Sequence, residues 1–304
     1  MKSSSDLSPY SLPSRNRTFE VNGENTLLNF LFEQLKDQSK TTVKSLLAHR
    51  QIIRNGKAVT QFDAPLNTGD IVRVIFDKNQ IPLEHPQLDL IYEDEFLIVI
   101  DKKAGLLSMG TEQVKEKTAY RILSEYVKRS NPRNCIFILH RLDRETSGLM
   151  MFAKTKSVQE QLQKNWNETV TERKYLAVVE GKPEKEEGII KSYIKENKAF
   201  LVHQTDSDNG KLAVTRYRII KSNSYYTLME LELETGRKNQ IRVHMQELGH
   251  PVTGDKKYGA QHNPIHRLAL HAFKLCFIHP LTGKTMHFET SVPKRFALLV
   301  KNRT

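Results

Sequence analysis

The sequence predicts an α+β fold: a mixed, mainly antiparallel sheet with flanking helices, preceded by a small α/β module. Three observations carry that prediction. After about residue 90, strand-length apolar runs such as FLIVI, CIFIL and GLMMFA outnumber helical stretches. Helical spacing concentrates in a short N-terminal region and a few later segments. Few strand–helix–strand units repeat in series, which argues against a doubly wound parallel sheet.

Composition sets the bounds. The chain has 304 residues, enough for roughly two domains. Hydrophobic residues make up 38% and charged residues 27%, as in soluble globular proteins. No apolar run approaches the ~20 residues that a membrane helix needs, so no membrane partner is expected. The stretch MKSSSDLSPYSLPSRNR lacks an apolar core, so residues 1–17 are expected to be a disordered tail and not a secretory signal. Cys135 and Cys276 are too few for a disulfide framework. Both are expected to be core thiols in a reducing cytoplasm. The net charge of +12, from 47 Lys+Arg against 35 Asp+Glu, favours a polyanionic partner.

The N-terminal module comes first. TLLNFLFEQLKDQ places Leu27, Leu28, Leu31 and Leu35 on one helical face, with Thr26 as candidate cap. A second helix follows, with Thr41 or Thr42 near its start and Val43, Leu46 and Leu47 inward. Turns are expected at Asn55-Gly56 and at Thr68-Gly69-Asp70. The strand IVRVIF closes a unit of about 60 residues, near the lower limit for an independent core. Its cations Lys36, Lys40, Lys44, Arg50, Arg54 and Lys57 face only Asp37. They suit phosphate contacts, or an ordinary solvated face.

Residues 18–78 resemble an S4 RNA-binding domain. The resemblance lies in the helix at 42–49, the Ile53-Arg54-Asn55-Gly56-Lys57 turn and LNTGDIVRV; Ser39-Lys40 stands where the family often has Ser-Arg or Ser-Lys. It implies that Lys40, Lys44, Arg50, Arg54 and Lys57 touch structured RNA.

Residues 79–89, NQIPLEHPQLD, are expected to be a linker. From residue 90 onward, IYEDEFLIVIDK reads as paired strands, TAYRILSEYVKR as a helix, CIFILH and GLMMFAKT as strands, and VQEQLQKNW as a helix. RKYLAVVEG, EEGIIKSYI, AFLVHQT, TRYRIIKS and YTLMELELETG are further strands. GRKNQIRVHMQELG has Ile241, His244, Met245 and Leu248 at helical spacing and Gly249 as a stop. RLALHAFKLCFIHP and HFETSVP complete the sheet.

Between CIFILH and GLMMFA lies HRLDRETSG. Asp143 stands there between Arg141 and Arg144, followed by a turn rich in hydroxyls and glycine. Such a carboxylate is either an ion-pair partner for those arginines or a reacting group. Metal and nucleotide motifs do not compete: HExxH, CxxC, GxGxxG and GxxxxGK[ST] spacings do not occur. Ser147 is not in a GxSxG elbow. His140 is expected to be packed or hydrogen-bonded. Any chemistry would rest on one aspartate, without metal or cofactor.

HRLDRETSGLMMFAK resembles the signature segment of the RluA-type pseudouridine synthases, HRLD-x-x-TSG followed by an apolar strand. Three further segments are similar to that family in the same order: RKYLAVVEG, LETGRKNQIRVHMQELGHPVTGDKKYG and RLALHAFKLCFIHPLTG. The resemblance spans about residues 90–295 and implies a pseudouridine-synthase-like domain over 90–304. Family members isomerise uridine in RNA: the base leaves C1′ through N1 and rejoins it through C5. The resemblance implies Asp143 as the essential carboxylate, which either attacks C1′ or assists loss of a sugar proton. It implies Arg242 as the partner of Asp143, since a nearby cation orients a carboxylate and favours its charged form. Tyr175 would lie against the base and help remove the C5 proton. Arg141 would fill the gap left by the extruded uridine, and Arg144 would meet phosphate.

Three segments depart from the family pattern. Asp101-Lys102-Lys103-Ala104-Gly105 replaces Asn-Lys-Pro-Ala-Gly, Ser108-Met109-Gly110 replaces Val-His-Pro, and Arg237-Lys238-Asn239-Gln240 replaces Arg-Thr-His-Gln or Arg-Ser-His-Gln. They are expected to bear on substrate contacts and to touch none of Asp143, Tyr175 and Arg242. The expected partner is RNA, ribosomal before transfer RNA, for a cytoplasmic monomer. The rival readings are a non-catalytic RNA-binding or ribosome-assembly factor, and a hydrolase that would lack a second acid–base group.

Overall fold

A computed structural model describes residues 16–76, 83–110 and 117–301. Most of the expected tail, and residues 79–82 of the expected linker, lie outside these. Arg17, counted with the tail, instead opens the first strand. The chain divides into two compact units, one of residues 1–84 with 129–132, the other of 85–128 with 133–304.

The first unit contains β1 (Arg17–Glu20), β2 (Asn25–Thr26), α1 (Leu27–Gln34), α2 (Lys40–Ala48), β3 (Ile52–Arg54), β4 (Lys57–Ala58), β5 (Pro65–Leu66) and β6 (Ile71–Val74). Its main sheet runs β1-β6-β3-β4. Leu27, Phe30 and Leu31 of α1 pack with Val43, Leu46 and Leu47 of α2 over Ile52, Val72 and Val74. Each fully buried aliphatic side chain there stabilises by ~1.5–3 kcal/mol. Leu28, expected on the inner face, is only half-buried. Phe30 takes its place, because steps of three and four from Leu27 land on Phe30 and Leu31. Thr26 sits at the N-cap but its side chain makes no capping bond. The second helix is capped by Ser39, whose Oγ accepts the Thr42 N–H at 3.0 Å, so it starts at Lys40 and before the expected threonines. Asn55 and Gly56 take φ of 48° and 82° between β3 and β4, as a tight hairpin requires.

β7 (Glu84–His85) falls on the boundary. The second unit holds β8 (Leu88–Glu93), β9 (Leu97–Lys102), α3 (Ala119–Lys128), β10 (Phe137–Ile138), β11 (Ser147–Ala153), α4 (Lys156–Lys164), α5 (Trp166–Thr169) and β12 (Glu172–Glu180). It continues through β13 (Glu187–Glu196), β14 (Val202–Thr205), β15 (Lys211–Ser222), β16 (Tyr226–Leu233), α6 (Gln240–Glu247), β17 (Leu270–Ile278), β18 (Thr285–Glu289) and α7 (Lys294–Leu299). The sheet order is β14-β13-β15-β16-β12-β17-β11-β9-β8, with β10 beside β11 and β18 beside β17. β11 and β17 run parallel where they pair, and the neighbouring pairs are antiparallel. The mixed, mainly antiparallel α+β architecture is the expected one.

All seven residues of β11 are buried, which explains its apolarity on both faces. Helix α6 buries Ile241 and Met245 against Leu176, Val178 and Phe296, and Val243 against Ile194, Val202 and Ala213. Two expectations need correction. CIFILH is not a full strand: only Phe137 and Ile138 pair with β11, while Ile136 and Leu139 are buried without ladder bonds. Cys135 is exposed and only Cys276 is buried, because burial in that run begins at Ile136.

Candidate active site

Asp143 occupies a short loop between β10 and β11, closed by a turn in which the Thr146 N–H donates to the Asp143 carbonyl at 3.1 Å. Its neighbours are clamped on both sides. The Ser108 hydroxyl donates to the Leu142 carbonyl at 2.6 Å and accepts the Leu142 N–H at 3.1 Å. The Gly105 N–H donates to the Arg144 carbonyl at 2.8 Å. Beneath the loop lies Lys102, fully buried, whose ammonium donates to the carbonyls of Leu106, Lys103 and Arg144 at 2.8, 3.1 and 3.3 Å. Three carbonyls match its three donors, and burial pulls its pKa down to about 8.

Four residues on, the loop is tied to β17. Arg267 donates to the Ser147 hydroxyl at 2.7 Å, and Ser147 meets His271 Nδ1 at 2.8 Å. His271 Nε2 meets the Thr290 hydroxyl at 2.8 Å, which donates to the Phe273 carbonyl at 3.3 Å. Because the Thr290 hydroxyl donates to Phe273, it accepts the proton on Nε2; in a neutral ring Nδ1 then accepts from Ser147, whose oxygen accepts from Arg267. Burial lowers the His271 pKa to about 4, in keeping with a neutral ring. Gly148 adopts φ +118°, and a Cβ there would lie 2.1 Å from the Ala272 carbonyl oxygen. Only glycine lets β11 and β17 approach so closely.

Arg242 comes from the first turns of α6. Its Nε and Nη2 donate to the two oxygens of Asp255 at 2.6 and 2.8 Å. Its Nη1 donates to Asp143 at 3.3 Å and to Asn239 Oδ1 at 3.1 Å. The guanidinium also lies 4.7 Å from the centroid of the buried Tyr258 ring. Burial works against the charge of Arg242, but the Asp255 carboxylate outweighs it and the pKa is raised. Asn239, at φ 54°, also donates to the Tyr258 hydroxyl at 3.0 Å. The expectation that Arg237-Lys238-Asn239-Gln240 touches none of the three central residues is therefore wrong at Asn239. The left-handed backbone, which asparagine tolerates, turns its side chain toward Arg242.

Tyr175 projects from β12 at a register shift between Lys174 and Tyr175 in its pairing with β17. Such a bulge re-aims a side chain. It is half-buried, and burial raises its phenol to about 12; Arg173 opposes this and the Asp143 charge adds to it. Asp143, Tyr175, Arg242 and Arg141 line a nook of about 60 Å³. An adjoining cavity of about 870 Å³ is lined by Arg141, Asp143 and Tyr175 as well. Its size suits nucleotide-scale ligands. The site can therefore hold a planar group against a phenol with an arginine-bound carboxylate beside it.

Arg141 is exposed, and Arg144 is exposed with its Nε donating to the Gly105 carbonyl at 3.2 Å. His140 accepts the Met151 N–H at 3.1 Å and sits 5.6 Å from the Trp166 ring, packed and hydrogen-bonded as expected. In the first unit, Arg50 pairs with Glu84 at 3.0 Å and Arg54 with Asp70 at 2.6 Å. Lys40 lies 5.8 Å from the Phe32 ring, and Lys44 and Lys57 are exposed. Sequence reasoning foresaw no part in holding the site for Lys102, Ser108, Asp255, Tyr258 or His271. A signal existed for Asp255 and Tyr258, which fall in the GDKKYG match. Among the described residues no three His, Cys, Asp or Glu side chains are grouped to hold a metal ion, and no helix is long and apolar enough to cross a membrane.

Residues 96–247 match the family described as RNA pseudouridylate synthase. The Bacillus subtilis (strain 168) protein named as the uncharacterised RNA pseudouridine synthase YjbO is 34% identical over 251 residues, 81% of this chain and 88% of its own. The ribosomal large subunit pseudouridine synthase C of Rickettsia typhi is 38% identical over 68% of this chain and 69% of its own. Synthase D of Pasteurella multocida is 31% identical over 89% of each. The solved structure of human RNA pseudouridylate synthase domain containing 4 superposes with a TM-score of 0.57 at 26% identity, covering 68% of this chain and 90% of its own. The strand order, the HRLD loop and these similarities converge: the chain belongs to the RNA pseudouridylate synthase family, as its resemblance to the RluA-type members implied.

Proposed function

We propose that this enzyme isomerises uridine in ribosomal RNA, with Asp143 as the reacting carboxylate, Arg242 as its partner and Tyr175 against the base. One observation carries the reading: Asp143 and Arg242, 99 residues apart, meet at 3.3 Å in a nook that Tyr175 also lines. The N1–C1′ bond breaks, the uracil turns, and a C5–C1′ bond forms. The C5 proton leaves and N1 ends protonated, so the atoms balance. With its pKa near 12, Tyr175 keeps its proton at neutral pH. It therefore acts as a stacking face and as a relay that accepts and gives up a proton together. Arg141, exposed at the mouth, is suited to stack in place of the extruded nucleotide, whose unstacking costs a few kcal/mol. Arg144 meets backbone phosphate.

The large-subunit synthases among the relatives support the ribosomal substrate. Residues 18–78 serve as an S4-like module, joined by 79–89 to the catalytic domain at 90–304, although β7 and the first two residues of β8 fall within that connecting segment. Of Lys40, Lys44, Arg50, Arg54 and Lys57, the exposed lysines add most of the affinity for structured RNA, since Arg50 and Arg54 are held by Glu84 and Asp70. The same reading has the chain working as a cytoplasmic monomer.

The test is tritium release from RNA labelled at uracil C5, with unmodified ribosomal and transfer RNA in parallel. Release from ribosomal RNA, abolished in Asp143→Asn with RNA binding kept within a few-fold, is the expected result. Full release by Asp143→Asn would sink the mechanism. Release from transfer RNA alone would replace the substrate.

A further inference from the structure

The larger cavity extends well past Asp143. Its wall includes Trp166, Arg173, His140, Gly236 and Arg237, none of which the reaction above uses. Arg173 lies two residues before Tyr175 on β12. Its guanidinium is 5.7 Å from the centroid of the Trp166 ring. Its Nη1 runs along Gly236, where an added Cβ would come within 2.7 Å. Its Nη2 reaches the Leu233 carbonyl at a long 3.4 Å. Among the described residues, no carboxylate pairs with it and no other acceptor meets its N–H groups.

A half-buried guanidinium with no counter-charge among the described residues is costly. Burial accordingly lowers its pKa. The carboxylates on the same wall are already engaged, Asp143 by Arg242 at 3.3 Å, Glu234 by Arg216 at 2.6 Å and Glu196 by Lys238. Arg141 and Arg237 line the same space and likewise form no ion pair among the described residues. Trp166 sits between Arg173 and His140, whose ring lies 5.6 Å away. His140 accepts the Met151 N–H through Nε2, which fixes its ring orientation. Cations with unfilled donors around an indole fit a nucleic-acid strand: a fork of N–H groups for phosphate and an aromatic surface for a base.

We propose that Arg173 and Trp166 form a subsite for a nucleotide flanking the target uridine, Arg173 holding its phosphodiester and Trp166 contacting its base. The subsite rests on the reading of Asp143 as the reacting group, because that group fixes where the target lies.

Trp166 is the only tryptophan of the chain, so its fluorescence reports the subsite directly. The probe is whichever unmodified RNA releases tritium in the assay above, added to the full chain carrying Asp143→Asn. Trp166 fluorescence is expected to change on binding. Adding Arg173→Gln is expected to weaken binding about tenfold and to lower the slope of log K against log salt by about 1. In the otherwise native enzyme the loss from Arg173→Gln should fall more on KM than on kcat. Arg173→Lys, which keeps the charge but not the fork, should keep the slope and lose part of the affinity. If Arg173→Gln fails to fold by circular dichroism, the lysine variant and the fluorescence change decide. An unchanged salt slope in Arg173→Gln, no fluorescence response to bound RNA, or a loss confined to kcat would overturn the subsite. Failure of the underlying reading looks different: Asp143→Asn would still release tritium, or neither RNA would, whatever Arg173 does.

Discussion

The cations of the first unit and those around the cavity of the second are spent differently. In the first unit both arginines of the basic stretch are taken, Arg50 by Glu84 and Arg54 by Asp70, and the exposed charge is left to lysines. Around the cavity the order reverses. Lys238 is paired with Glu196, while Arg141, Arg173 and Arg237 form no ion pair among the described residues. An exposed lysine is a hydrated point charge that attracts phosphate with little geometry; a guanidinium with unused donors selects orientation. The first arrangement suits general affinity for RNA, and the second suits registering one nucleotide.

Arg242 is the test case, because it is committed to Asp255 and only lightly to Asp143. Asp255→Asn should break that division. Removing the charge of a buried partner is expected to cost about 3 kcal/mol of stability. Loss of a positioned donor should lower kcat by roughly 100-fold. Urea midpoints and tritium-release rates check the two, and a kcat near that of the native enzyme would mean that Asp255 does not hold Arg242 for the reaction.

A smaller effect separates the cations of the first unit. Lys44→Gln with Lys57→Gln should lower the salt slope of RNA binding by about 2. Arg54→Gln, whose charge is already met by Asp70 at 2.6 Å, should change affinity by about twofold or less. Equal effects would erase the distinction. Removing residues 1–78 altogether should weaken binding and flatten its salt dependence.

The smallest contrast is in acid. Burial holds His140 at about 3, with Arg173 adding to the effect, and His244 at about 4, both below the ordinary value. A histidine lowered on folding contributes stability that is fully present above about pH 6.5 and is lost as pH falls through its folded value. The first unit holds only the exposed His49. Its acid-sensitive groups are Asp37, held down by Arg17, and Asp70, held down by the Asn67 N–H, which matter only below about pH 4. Between pH 6.5 and 4.5, hydrogen exchange should show amides of α6 losing protection while those of α2 keep theirs. Parallel loss in both helices would contradict this.

How much of this was legible in the sequence varies by residue. The HRLD loop, the β11 run and α6 were readable, since apolar period and turn residues act over a few positions. Ser39 as the cap of α2 was missed, although serine three residues before Thr42 is a local signal. The roles of Ser108, Asn239 and His271 were not readable. Ser108 meets Leu142 across 34 residues and Ser147 meets His271 across 124, distances over which no local pattern speaks.

By itself the sequence determined the alternation of strands and helices, the net positive charge, and the segments through which the chain resembles its family. Only the tertiary structure decided which charges cancel, which backbone groups hold Asp143 in place, and which arginines keep unused donors. The physical reason is range. Backbone preference and amphipathic period are set by neighbours along the chain, whereas ion pairs and hydrogen bonds depend on separations of a few ångströms between residues that folding alone brings together.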